Sequence, residues 1–476
     1  MTDDRSARGG FVPPYLLRRI ARSGDPGTAA LCQDTLRADE SFRDMRRTEG
    51  SRAGLSAHTE TPVVAEPGLA WRVHDAEHGT RLPGRPVRGP GDPVAGDLAV
   101  DEAAAGIEQT LRFFAEALAR DSYDGRGAPV VLSVHYRERY ENAFWDGRQL
   151  VFGDGDGKVF DRFTKPVDVL AHEFGHAVID ASARLVYADQ PGALNESVAD
   201  ILASCLLQWL AGHRVEQASW LIGEGLFLPG VRARALRDLA APGTAYDDPV
   251  LGRDPQVAHL DDFVVTEEDN GGVHLNSGIP NRAFHLAALA LGGRVWERAG
   301  LVWYAALTGE RVGPRSDFAG FAAATVEAAA DLWDAEAAGL VAKAWADVGV
   351  TATSGATGVG EEAAPTPVPA PVPATGQVVV TRSGGFAGIT TTLRLDLGQV
   401  PPEVRSAELG PLLRSVESAR GEAAQAPPAL PVADGFVYTF SLPGREPWRV
   451  AEPQLSDELR QLADLVERFG GRPETA

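Results

Sequence analysis

The chain has 476 residues, enough for two or three domains, with 44% hydrophobic and 23% charged residues, an ordinary globular balance. Its 45 Lys and Arg against 66 Asp and Glu give a net charge of −21, which argues against nucleic acid as a partner. Two cysteines, Cys32 and Cys205, allow at most one disulfide, and no run of about 18 apolar residues marks a membrane span.

The first residues, MTDDRSARGGFVPPYLLRRIARSG, carry charges throughout and lack the apolar stretch of a secretory leader. They predict cytoplasmic synthesis and residence, with non-classical export left open. After Pro13-Pro14, Leu16, Leu17 and Ile20 pattern an amphipathic helix. Residues 1–55 are too few for a core of their own. Two readings stand: a disordered arm, or a propeptide docked on the next domain and cut near Gly50–Gly54. Cys32 has no cationic neighbour that would activate a thiol, and Cys205 lies in the apolar stretch ILASCLLQWL, a core position.

Residues 68–100 read as short strands among Gly and Pro turns. From 100 to 119, Ala104, Ile107, Leu111, Phe114, Ala115 and Leu118 recur at helical spacing. Residues 129–136 read as a buried strand. Residues 140–152 read as a hairpin whose aromatic edge contains Asn142, Ala143, Phe144 and Trp145. The following GDGDG run lacks the acidic set of an EF-hand loop and reads as a solvated turn.

The chemistry centres on 168–200. In His172-Glu173-Phe174-Gly175-His176 the two histidines, four apart, share one helix face. Glu196 follows on a second helical stretch, with Asp200 four residues on. Two imidazoles, one carboxylate and a fourth position left to water make a catalytic zinc arrangement. Glu173 is placed to take a proton from that water. HExxH also occurs by chance, but the apolar flanks Val169, Leu170, Ala177, Val178 and Ile179 bury this helix, and buried histidines need partners. Asp200 suits the outward ring nitrogen of a ligand histidine.

Residues 201–300 are mostly helical, broken by a loop over 225–262. Asp269-Asn270-Gly271-Gly272-Val273-His274 reads as a loop presenting an exposed, oriented imidazole and as a helix-capping loop, two readings that can hold together. Helices continue to about 350. The alternating prolines of 355–376 predict an extended spacer of about 3.1 Å per residue. Beyond it, 377–476 reads as a small α+β module, with strands near 378–381, 391–395, 436–440 and 447–450 and helices near 408–419 and 455–469.

With HEFGH, Glu196, NAFWDG and NGGVHLNSGI in hand, the chain from about Trp71 to Val350 resembles thermolysin-like neutral metallopeptidases. The resemblance implies a two-lobe α+β fold, with a mixed lobe over 56–190, a helical lobe over 191–354, and the small α+β domain behind. It implies zinc on His172, His176 and Glu196, Glu173 as general base, and Asp200 orienting a ligand histidine. Tyr187 and His274 would serve the oxyanion, and Asp269 would orient His274. Arg237 would hold a substrate carbonyl, and Asn142 and Ala143 the substrate backbone. Phe160, Phe163, Val169, Ile222 and Leu236 would line the pocket after the cut, implying cleavage before a bulky apolar residue. Where extracellular relatives carry calcium carboxylates this chain has Leu207, Ser219 and Leu221; Asp168 and Glu224 remain, so the double calcium site is incomplete.

The arm resembles the short, self-removed propeptides of the protealysin branch, and TRSGGFAGITTTLRLD resembles emfourin-type inhibitors of that branch. A tether of about twenty residues sets an effective concentration on the order of mM, enough for self-inhibition if geometry allows. The expected partners are protein or peptide substrates and the chain's own C-terminal module. The competing reading is a silent or permanently inhibited partner-binding protein on a peptidase scaffold.

Overall fold

The computed structural model describes residues 10–23, 25–52, 70–352, 377–384, 389–396, 436–442, 448–451, 457–469 and 474–475. The chain divides into two compact units, Met1–Glu361 and Glu362–Ala476.

In the first unit, α1 (Pro14–Ser23) begins at a proline, which has no N–H to leave unsatisfied there. It buries Leu16, Leu17 and Ile20. A second helix, α2 (Pro26–Arg52), packs against it. The arm's described side chains are docked: Phe11, Val12, Leu16, Leu17, Ile20 and Cys32 are buried in the core of this unit. Among the described residues this favours the docking reading of the arm; residues 53 and 54 of the expected junction lie outside them.

A five-stranded sheet follows. It comprises β1 (Trp71–Asp75), β2 (Arg85–Arg88), β3 (Val130–Val134), β4 (Ala143–Trp145) and β5 (Leu150–Phe152), in the order β2-β1-β3-β5-β4. The neighbours β1, β3 and β5 run parallel, and the two edge strands are antiparallel to them. Helix α3 (Leu98–Leu118) is capped by Asp97, whose carboxylate accepts from the Ala99 and Val100 amides. Its buried face keeps Ala104, Ile107, Phe114 and Leu118, but Ala115 is exposed and Leu111 only half-buried. Phe113 is buried instead, packed on Trp209 with ring centroids 5.8 Å apart. The helical period does not by itself choose between neighbouring wide stripes.

Helices α4 (Val167–Ala181) and α5 (Asp189–Ala211) form the centre of the unit. Nearly all of α4 is buried. A Cβ on Gly175 would stand 3.0 Å from Ala199 Cα, so a glycine lets the two helices approach closely. A lobe boundary at 190 falls inside α5.

The loop after α5 carries two small hairpins, β6 (Leu221–Ile222) with β7 (Arg237–Asp238), and β8 (Asp247–Asp248) with β9 (Gly252–Arg253). Then come α6 (Asp269–Asn276), α7 (Gly278–Leu291), α8 (Ala299–Thr308), α9 (Phe318–Leu332) and α10 (Ala335–Ala346). The expected loop is present over 269–272, where Asp269, Asn270, Gly271 and Gly272 have left-handed backbone, and regular helix begins only after it. No helix among the described residues is long and apolar enough to cross a membrane.

The second unit contains an antiparallel sheet over Gln377–Gly384, Ile389–Asp396, Phe436–Ser441, Trp448–Ala451 and Glu474–Thr475. A helix over Asp457–Phe469 places Leu462 and Val466 against Val378, Val380, Leu395 and Phe440. The helix expected near 408–419 lies outside the described residues.

Candidate active site

The α4–α5 pair brings His172, His176 and Glu196 together, with one donor atom from each within 4.8 Å of the others. Glu196 Oε2 is 3.5 Å from His172 Nε2, and Glu196 Oε1 is 3.4 Å from His176 Nε2. All three residues are buried. His172 Nε2 and Glu196 Oε2 meet no hydrogen-bond partner. A buried imidazole nitrogen and a carboxylate oxygen left open in this way, with His176 Nε2 converging on the same carboxylate, fit a zinc ion.

The outward nitrogens are also held. His172 Nδ1 lies 2.9 Å from Asp200, as the spacing predicts. His176 Nδ1 lies 2.8 Å from Asn195 Oδ1, and the Asn195 amide donates to Leu185 O at 3.0 Å. Each outer partner fixes its ring so that Nε2 faces the shared point. Helix-face spacing alone does not mark Asn195. Its position immediately before Glu196, on the turn facing α4, is the signal that could have found it.

Glu173 is fully buried, and neither of its carboxylate oxygens has a hydrogen-bond partner. Burial raises it to about 7, the range useful to a general base. The opposite wall comes from α6. His274 Nδ1 is 2.7 Å from Asp269, whose carboxylate also accepts from the His274 amide at 2.9 Å. Burial works against the imidazolium, but Asp269 and Glu196 outweigh it and raise His274. Tyr187 donates to Glu196 and lies 3.4 Å from His274 Nε2.

Arg237, on β7, forms a bidentate pair with Asp200 at 2.8 Å and 3.1 Å. Asp200 therefore serves two groups, one of which sequence spacing does not show. The remaining Arg237 nitrogen donates to Phe11 O at 3.0 Å, and its guanidinium lies 4.6 Å over the Phe11 ring.

The residues expected to grip a substrate thus grip the chain's own arm. Phe11 N donates to Ala143 O at 2.9 Å, and Val12 N to Asn142 Oδ1 at 2.8 Å. The Asn142 amide returns a bond to Val12 O at 3.2 Å. The Phe11 ring meets His172 edge-on at 5.1 Å. Any side chain at Gly10 would collide with Asn142. Phe160, Phe163, Val169, Ile222 and Leu236 are buried in the same core as Phe11, and Gly223 lies between Leu236 and the Phe11 ring. Asp168 is buried and accepts from the Gly223 amide at 2.6 Å. Both cysteines are buried.

This unit is similar to known proteins. The family "Thermolysin metallopeptidase, catalytic domain" matches residues 84–180, and "Thermolysin metallopeptidase, alpha-helical domain" matches 183–350. An extracellular metalloprotease of Pectobacterium carotovorum subsp. carotovorum is 45% identical over 340 residues, covering 71% of this chain and 95% of that protein. The chain belongs to the thermolysin metallopeptidase family. Protease PrtS of a Photorhabdus species is 41% identical over 343 residues, covering 72% and 92%. The solved precursor of protealysin, a metalloproteinase from Serratia proteamaculans, is similar at TM-score 0.65 and 44% identity, covering 72% of this chain and all of that one. The family "Emfourin" matches residues 380–467.

This family member is a zinc metalloendopeptidase with a precursor form. The expected cytoplasmic location is corrected: named relatives are extracellular proteases, including elastases of Staphylococcus epidermidis, which points to secretion. The hydropathy of the first residues reports on only one export route, so it could not decide the matter.

Proposed function

We propose that this peptidase is held latent by its own arm, with Phe11 filling the pocket that receives the residue after the cut. The carrying observation is the backbone of Phe11, bonded to Ala143 and Arg237 while its ring lies against His172. A substrate held in that way places a bulky apolar side chain among Phe160, Phe163, Val169, Ile222 and Leu236, and is cut before it.

In the reaction so proposed, Asn142, Ala143 and Arg237 align the substrate backbone. His172, His176 and Glu196 would hold zinc, which when bound would supply Lewis-acid polarisation of the carbonyl and a more acidic water. Glu173 accepts the proton and passes it to the leaving amine. His274, held by Asp269, and Tyr187 donate to the oxyanion, each worth a few kcal/mol. Asp200 orients His172 and Arg237 together. The hydrogen bond from Gly223 to Asp168 supports reading Asp168 as a backbone acceptor rather than a calcium ligand.

We further infer that the C-terminal module inhibits the peptidase through the Pro-rich tether. The match of residues 380–467 to emfourin supports this. The test is casein hydrolysis by a chain ending near Gly355, beside the same chain with Glu173→Ala. Equal rates would sink the catalytic assignment. Adding residues 377–476 back should slow the truncated enzyme, and unchanged activity would remove the inhibitor role. Cleavage of a peptide mixture should favour Phe and Leu after the cut.

A further inference from the structure

We propose that His78, His135 and Asp154 form a second transition-metal site, outside the catalytic cleft. Each residue comes from the carboxyl end of one of three neighbouring parallel strands. His78 follows β1, His135 follows β3, and Asp154 follows β5. Open parallel sheets present ligands to bound groups at that end.

The geometry is convergent. Donor atoms from the three residues lie within 4.8 Å of one another. Asp154 Oδ2 is 2.9 Å from His135 Nδ1 and 3.5 Å from His78 Nδ1. Ligands bound at about 2.0–2.1 Å around a tetrahedral zinc stand about 3.3 Å apart. The catalytic donors, at 3.4 Å and 3.5 Å, have the same spacing.

The outer contacts are those of a ligand histidine. His135 Nε2 is 3.1 Å from Asp97, and its Nδ1 is 3.0 Å and 2.9 Å from the two Asp154 oxygens, so Asp97 is placed to take the outer N–H when Nδ1 binds an ion. Asp97 is itself fixed as the cap of α3. His78 N donates to His135 O at 2.9 Å, which locks the two turns together. Both histidines have left-handed backbone, φ 58° and 53°.

Two imidazoles and one carboxylate select zinc, nickel or copper over calcium, which prefers oxygen ligands. The His78 side chain is 57% exposed, so solvent reaches the site and completes the coordination. This differs from the catalytic site, where the ligands are buried.

The test uses the full chain with Glu173→Ala, which keeps the cleft ligands and removes self-cleavage. It is saturated with Zn2+, freed of loose metal by gel filtration, and analysed for metal content. Two zinc ions per chain are expected, falling to one in His78→Ala and in Asp154→Asn. Calorimetric titration should show the second ion binding at least tenfold more weakly in each variant. His78 is exposed, so His78→Ala should retain the parent's circular dichroism. One zinc in the parent, or two in both variants, overturns the site. Loss of the second zinc to millimolar Ca2+ overturns the ion class.

Discussion

Glu141 gives the arm a pH-dependent grip on the peptidase. It precedes Asn142 on the edge that holds Val12, and it is wholly buried with neither carboxylate oxygen hydrogen-bonded. Helix α2 covers it: Cys32 faces it, and Thr35 Oγ1 accepts from its amide at 3.2 Å. Asp156 adds repulsion from the GDGDG turn, and Asp39 of α2 stands beside it on Tyr140 and Asn142. Burial raises Glu141 from 4.5 to about 8. If release of α2 returns it to water, docking takes up a proton. The pKa is raised in the docked state, so the stabilisation is full below about 4.5 and is lost as pH rises toward about 8. At about 1.4 kcal/mol per unit, the docked arm weakens roughly tenfold per pH unit, by about 5 kcal/mol across the window. Hydrogen exchange on the full chain with Glu173→Ala measures this as the opening free energy of α1 and α2 amides between pH 5 and pH 8. The slope should be present in the parent and absent in Glu141→Gln. A flat profile in the parent, or an equal slope in both, would refute the reasoning.

Phe11→Ala empties a filled pocket, and Phe-to-Ala changes in cores cost about 3–5 kcal/mol. The arm should open at least a hundredfold more often, seen as faster self-activation of the otherwise native chain. Asn195→Ala frees the outer nitrogen of His176 and should weaken zinc about 10- to 100-fold in a chelator competition; unchanged affinity would show that His176 is oriented by other contacts. Gly175→Ala forces a methyl against Ala199 and should cost about 1–3 kcal/mol, read as a lower Tm with the zinc stoichiometry kept.

The secretion of this enzyme's relatives shows where local reading stops. Charge and hydropathy at the start of the chain describe one leader type, whereas localisation depends on recognition by export machinery. The helix pattern shows a similar limit on a smaller scale. It placed α3 within two residues but chose Ala115 over Phe113, because neighbouring residues border the same stripe and only packing against Trp209 decides between them.

Sequence by itself determined the metal centre, because its ligands obey local rules. His172 and His176 share a helix face at any spacing of four, and Glu196 with Asp200 repeats the device on the next helix. The loop that carries Asp269 and His274 was legible from its Asn-Gly-Gly run, but the contact between them was not, since residues five apart do not share a helix face and left-handed backbone at Asn270, Gly271 and Gly272 lies between them. Tertiary structure alone decided who occupies the cleft. The bond from Arg237 to Phe11 joins residues 226 positions apart, and the one from Val12 to Asn142 joins residues 130 apart. No periodicity encodes such pairings, which follow from the arm packing five buried side chains, Phe11, Val12, Leu16, Leu17 and Ile20, on a surface assembled from both lobes. The gathering of His78, His135 and Asp154 has the same origin. Three separate strands must first lie side by side before their ends can share an ion.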